Sequence, residues 1–291
     1  MSEWTAWPAP AKLNLFLHIV GRRDDGYHLL QTVFQLLDRG DTVRLRLRGD
    51  GEIHRVSALD GVAPEHDLVV RAARCLQAFA RPRAGADIDV TKRIPLGGGL
   101  GGGSSDAATV LVVLNRLWCC DLDEDRLAEL GLSLGADVPV FVRGHSAWAE
   151  GVGQVLVPIE IPERWYVIVD THTPVPTGPL FQAAELTRDA PPTTIPRFLA
   201  GAETSNAFEP VVSARYPAIA AALRWLETSA GRPRLSGSGG CVFVDVASED
   251  EAIALAAACP QEWSAHVARG VNRSPLQVEL ERFIAGASPS R

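Results

Sequence analysis

Residues 95–108 read PLGGGLGGGSSDAA, with six glycines between Gly97 and Gly103. Glycine opens positive φ and lets successive backbone N–H groups turn towards one point without a Cβ in the way. A helix starting near Ser104 and Ser105 adds unpaired N–H donors and the positive end of a dipole. Pro95, Gly97, Gly98, Gly99, Leu100, Gly101, Gly102, Gly103, Ser104 and Ser105 are therefore expected to cradle phosphate groups. No G-K-[ST] follows, so this is not a Walker A loop. The run also contains G-x-G-x-x-G (Gly97, Gly99, Gly102), a weak signal that leaves a dinucleotide-dependent oxidoreductase as a competing reading.

Chemistry at a bound phosphate needs further groups near such a loop, a base and a cation among them. Asp137, in GADVP, reads locally either as the N-cap of the next turn or as a general base held in fixed orientation. The cations are unusual. Of 28 Lys+Arg only Lys12 and Lys92 are lysine, so arginine supplies nearly every positive charge. A lysine kept under that habit points to a place where a compact ammonium serves and a planar fork does not. Lys12 opens the first apolar strand; beside a carboxylate it would keep the acid ionised and ease development of an alkoxide. Lys92 stands just before the glycine run, where reaching nucleotide and closing a strand edge are both open. Tyr27 and His28 follow a breaker-rich turn, GRRDDG; a Tyr face can stack a base and a His can hydrogen-bond a pyrimidine edge, although a core Tyr and a surface His are equally compatible.

These residues need a frame. Leu13–Val20, Tyr27–Leu37 and Thr42–Arg48 read as strands, Asp67–Ala80 as an amphipathic helix and Ala86–Thr91 as a strand entering the glycine run. Ser104–Trp118 reads as a helix apolar almost all round, and Asp125–Leu134 as a second helix ended by Gly135. A proline-rich connection follows Trp165–Asp170; then come a helix over Pro217–Ala230, a turn and strand over Leu235–Val246, a helix over Glu249–Ala258 and a strand over Ser264–Arg269. The order implies an α+β protein of two halves with a cleft between them: an N-terminal domain over 1–157, a C-terminal domain over 158–285 and a frayed tail over 286–291. The formal charge of −7 argues against a nucleic-acid partner. No apolar run has the roughly 18–20 residues of a membrane span. Five cysteines without a C-x-x-C pair, and a start (MSEWTAWPAPAKLNLF) without signal-peptide features, lead to the expectation of free thiols, no membrane and a cytoplasmic location. The histidines show no metal-site spacing, so no protein-held metal is expected.

The glycine run resembles the phosphate-loop signature of the galactokinase, homoserine kinase, mevalonate kinase and phosphomevalonate kinase superfamily. PAKLNLFL, DGYH, the glycine run, LGADVPVF and LSGSGGCVF together resemble a branch of it that acts on a cytidine diphosphate alcohol, over roughly residues 7 to 276. The resemblance implies the two-domain small-molecule kinase fold with its active site in the inter-domain cleft. It further implies ATP as phosphoryl donor, with Mg²⁺ bound mainly through the phosphates. Asp137 would be the base and Lys12 its partner. Tyr27, His28 and Phe181 would enclose the cytosine; Thr177 and Asn14 would contact substrate; and Gly239, in Leu235–Gly240, would face the cleft near the substrate. A mevalonate- or homoserine-type kinase is the nearest alternative. Two positions depart from the family pattern: Asp67, where Asn is frequent near the adenine, and Ala207, where Asp is common.

Overall fold

The computed structural model describes residues 3–57, 62, 63 and 65–287. Its N-terminal part is built on two long antiparallel strands, β1 (Thr5–Arg22) and β2 (His28–Arg48), joined by the turn that carries Gly26 at φ 91°. The ladder is irregular between Pro10 and Lys12 and between Asn14 and Leu17. Such bulges re-aim side chains, and here the Lys12 N–H donates to Leu100 O, in the glycine loop, at 3.0 Å. The short β3 (Ile53–Arg55) leads to α1 (Leu68–Ala80), then β4 (Gly85–Thr91) enters the loop and α2 (Gly102–Leu117) leaves it. Helices α3 (Glu124–Leu134) and α4 (Val138–Arg143) and the hairpin β5 (Ala147–Gly151) and β6 (Val155–Pro158) complete this half.

After β7 (Trp165–Asp170), the proline-rich stretch carries two short helices, α5 (Thr177–Phe181) and α6 (Ile195–Leu199). Then follow α7 (Glu209–Arg215), α8 (Pro217–Ala230), β8 (Arg234–Leu235), β9 (Cys241–Val246), α9 (Glu249–Ala257), β10 (Ser264–Val271) and α10 (Pro275–Ala287). The strands form a continuous path β3-β4-β2-β10-β7-β9-β8, with β1 and the β5–β6 hairpin added on β2. β4 runs antiparallel to β2, and α2 is followed by α3 rather than a strand. The parallel βαβ unit that a dinucleotide fold requires is therefore not what carries the glycine loop, and the oxidoreductase reading falls.

Helix α2 is buried along its length, with Ala107, Ala108, Val110, Leu111, Val113 and Leu114 all at 0% exposure. At about 1.5–3 kcal/mol for each large apolar side chain, this burial fixes the loop's exit against α1, α4 and the strands. A second apolar cluster fills the C-terminal half around Val167, Val169, Phe208, Ile219 and Val244. A third lies where the halves meet, around Leu13, Phe16, Trp148, Tyr166 and Phe243.

Several boundaries differ from expectation. α2 begins at Gly102, two residues early, because Gly101 takes the left-handed conformation at its N-cap (φ 75°). β10 pairs with β2 through Gly270 and Val271, and α10 returns to the N-terminal core, where Leu276 is buried and Phe283 meets Trp7 edge-on at 5.1 Å. The residues after 270 thus pack on the first half. α10 also runs through Ala287; residues 288–291 of the expected tail lie outside the described residues.

Candidate active site

Strand β1 delivers Lys12 into the cleft with its side chain only 3% exposed. The ammonium lies 3.4 Å from Asp137 Oδ2, donates to Gly99 O at 3.0 Å, and bonds Asn14 Oδ1. It also sits 5.4 Å from the centre of the Phe34 ring. Asp137 occupies the N-cap position of α4, but its side chain makes no capping bond. The carboxylate, 35% exposed, faces Lys12 instead, so the capping alternative is set aside by geometry. Asn14 is 2% exposed, and its amide is spent on Lys12 and on Thr32 Oγ1 (2.9 Å). Its visible work is to hold the lysine; Thr32, unnoticed in the sequence, is the second brace.

The glycine loop bends at Gly97, Gly99 and Gly101, all with φ between 71° and 76°. Pro95 to Ser104 line a recess together with Lys92 and Leu68. At the helix start, the N–H of Ser105 already bonds Gly101 O at 2.8 Å, leaving Gly102, Gly103 and Ser104 as the donors free of an intrahelical partner. Ser105 is fully buried, and its hydroxyl has no partner. It stands behind the cradle, a correction to its expected place in it. The second small-residue loop packs on the first by backbone. Gly240 N donates to Gly97 O (3.3 Å), Cys241 N to Gly98 O (3.2 Å) and Ser236 Oγ to Gly99 O (2.9 Å). A Cβ on Gly239 would come within 2.2 Å of Gly99 N. Gly239 therefore supports the phosphate loop, whereas Gly237 and Ser238 line the cavity.

Two adjoining cavities open from this point. The inner one, about 360 Å³, is lined by Lys12, Asn14, Asp137, Ser104 and Thr177 among others. Thr177 Oγ1 is 2.8 Å from Ser238 Oγ. The outer one, about 720 Å³, is lined by Tyr27, His28, Phe181, Arg22 and Arg188. Leu30, Ala136, Val152 and Phe181 belong to both walls. Tyr27 is 64% exposed, and the His28 and Phe181 rings stack at 5.0 Å. Burial, then the charges of Arg188 and Arg22, lower the His28 pKa, so the ring is neutral near pH 7.

Lys92, which lines the glycine-loop recess, is also held by two acids. Its ammonium is bound by Asp41 and by Asp106 Oδ2 (2.8 Å), and Asp41 also accepts the N–H groups of Arg93 and Ile94 (2.8 Å for Ile94). Both ends of the glycine loop are thus tied to one buried cluster. Nothing in the spacing of the two aspartates, one in DRGDTVR and one in SSDAAT, singles them out in the sequence. Asp67 caps α1 through Val69 N (3.0 Å) and pairs with Arg55 at 3.0 Å. The Ala207 N–H closes onto Leu17 O at 2.8 Å.

Comparison with known proteins follows the same lines. The GHMP kinases N terminal domain matches residues 67–145 and the GHMP kinases C terminal domain residues 193–265. A 4-diphosphocytidyl-2-C-methyl-D-erythritol kinase of Halorhodospira halophila is 57% identical over 96% of this chain and 98% of that protein. One of Xanthomonas campestris pv. campestris is 60% identical over 96% and 94%. This chain belongs to that family of GHMP kinases. A crystal structure of a 4-(cytidine 5'-diphospho)-2C-methyl-D-erythritol kinase, 31% identical, superposes with TM-score 0.80 over 92% of this chain and all of the other. Methanococcus jannaschii mevalonate kinase, 15% identical, shares the fold, with TM-score 0.67 over 94% of this chain and 99% of the other. The two-domain GHMP kinase fold is thereby established, and with it a phosphotransferase that uses ATP. No helix among the described residues is long and apolar enough to cross a membrane.

Proposed function

We infer that this kinase transfers the γ-phosphoryl group of ATP to the 2-hydroxyl of 4-diphosphocytidyl-2-C-methyl-D-erythritol, in non-mevalonate isoprenoid precursor synthesis. The observation that carries this is the pair of cavities sharing four wall residues. A cation–carboxylate pair lies at the inner end, and an aromatic and imidazole slot at the outer end. A cytidine diphosphate alcohol is long enough in kind to use both. Mevalonate and homoserine have no base with which to fill the outer cavity.

In this reading the N–H groups at Gly102, Gly103 and Ser104 hold the ATP phosphates. Asp137 takes the proton from the substrate hydroxyl, whose oxygen attacks the γ-phosphorus as the bond to the leaving ADP oxygen breaks. Lys12, fixed by Asn14 and Gly99 O, keeps Asp137 ionised and stabilises charge on the attacking oxygen. Asn14 acts through Lys12. Tyr27 and Phe181 hold the base between aromatic faces, and His28 bonds its edge, turning remote binding into alignment at the hydroxyl. Among the described residues Asp137 is the one carboxylate lining the inner cavity, and Lys12 engages it. That donor set fits an octahedral ion drawing most of its oxygens from phosphate and water, with the Ser104 hydroxyl in the same wall as a protein oxygen that could join them. Mg²⁺ bound in this way would neutralise phosphate charge. Free thiols at all five cysteines accord with a reducing, cytoplasmic setting.

The test is ADP release with the cytidine diphosphate alcohol, mevalonate and homoserine compared side by side. Turnover with the first alone is the expected outcome; preference for either of the others would overturn the substrate assignment.

A further inference from the structure

Arg188 lies 160 residues from His28 in sequence and donates from Nε to His28 Nε2 at 3.2 Å. A guanidinium has only donors and stays charged, so the nitrogen it meets must be a bare acceptor. The proton of the neutral ring therefore resides on Nδ1. The guanidinium cannot easily turn away. Three of its four other N–H groups donate to carbonyls at the end of α5 and in the loop that follows: Nη1 to Leu186 O (2.9 Å), and Nη2 to Phe181 O (3.0 Å) and Ala183 O (2.7 Å). Phe181, the last residue of α5, lays its ring over His28 with an interplanar angle of 27°. His28 is thus clamped on one face and along one edge, in the wall of the outer cavity.

We propose that Arg188 is a positioning residue that fixes His28 as a donor through Nδ1–H, and that this makes the outer cavity select cytosine over uracil. The proposal rests on the reading of that cavity as the nucleoside site. Cytosine offers two neighbouring acceptors, O2 and N3, whereas uracil carries a proton on N3. A donor fixed opposite the N3 edge bonds the first base and meets another donor in the second. A site built to satisfy one hydrogen-bonding pattern rejects the reversed pattern because a buried donor is left unpaired. An imidazole free to exchange its tautomers would accept either base. The charge of Arg188 also favours the neutral ring, consistent with the lowered His28 pKa.

Three measurements test this. Nitrogen-detected NMR of the ligand-free protein should show His28 protonated at Nδ1 and bare at Nε2; the opposite pattern would overturn the proposal at its root. Titration of the wild type with CMP and UMP should show tighter binding of CMP by roughly 10-fold or more; equal binding would overturn the base selection. In Arg188→Met that ratio should fall to about 3-fold or less. The KM for the cytidine substrate should rise more than the KM for ATP or the change in kcat. Arg188→Lys, which keeps a donor towards Nε2, should recover part of the ratio. A wild-type ratio retained in Arg188→Met would show that Arg188 does not set it. If Arg188→Met fails to fold, Arg188→Lys and the wild-type NMR still decide. A wild type that binds CMP selectively yet phosphorylates no cytidine diphosphate alcohol would sink the substrate assignment while leaving the role of Arg188 standing.

Discussion

Around Lys12 there is one carboxylate, Asp137, 3.4 Å away and open to the cavity over about a third of its surface. Around Lys92 there are two, Asp41 and Asp106, both with side chains at 5% exposure or less. The first arrangement leaves Asp137 free to accept a proton from an arriving hydroxyl. In the second, Asp41 also accepts two backbone N–H groups, and the cluster binds β2, the loop entrance and the start of α2 to one another. In the proposed mechanism one ammonium serves chemistry, and the other braces the frame of the glycine loop. The difference lies in the carboxylate count and in how far the carboxylates are open to solvent.

Asp137→Asn tests the first half most severely. Its kcat should fall by roughly 10²–10⁴-fold, with the unfolding midpoint nearly unchanged because no capping bond is lost. Near wild-type turnover would remove Asp137 from the chemistry. Lys12→Arg should lower kcat by about 10²-fold although the charge is kept, because a compact ammonium bonded to Asn14 and Gly99 O is replaced by a wide fork. Full activity would show that a point charge is not what the site requires.

The frame should respond in stability. Asp41→Ala breaks a buried ion pair and strands the Arg93 and Ile94 N–H groups, so denaturant unfolding should report a loss of about 3–5 kcal/mol, with KM for ATP rising more than kcat falls. A loss of kcat matching that of Asp137→Asn would erase the distinction. Lys92→Arg, the same change that damages Lys12, should keep kcat within about 3-fold, because a guanidinium can serve two carboxylates at once.

The smallest effect is a pH dependence. Burial pushes the Asp106 carboxyl up to about 7; Lys92 opposes this and the Asp41 charge adds to it, two acids having one cation between them. Between the ordinary value of 3.8 and about 7 the folded protein holds a proton that the unfolded chain has lost. The contribution of this group to stability therefore declines as pH rises through that window, and its cost is complete above it. Asp106→Asn should flatten Tm across the window and raise it most at the upper end. An unaltered slope would mean that the proton is held elsewhere.

The glycine cradle, the strand-to-helix order around it and the neighbourhood of Asp137 were legible in the sequence because each is contiguous, and local backbone chemistry decides it. For Asn14, Gly239 and Ser105 the sequence points to the right region but not to the partners each side chain or backbone finds there. Asn14 turns onto Lys12, Gly239 supports the loop from behind, and Ser105 is buried under it. Each outcome depends on which way a side chain faces once strands and loops are stacked. The return of α10 to the first half was not legible, since its apolar face has no partner nearby in sequence.

The sequence alone decided a glycine loop running into a helix, a base candidate beside a helix start and two conspicuous lysines. Tertiary structure decided which lysine meets which acid. Lys92 finds Asp41 across 51 residues and Asp106 across 14, and Arg188 finds His28 across 160. Those pairings follow from strand register, the bulges of β1 and the packing of α2. Such interactions reward contact in space without leaving a spacing in the chain.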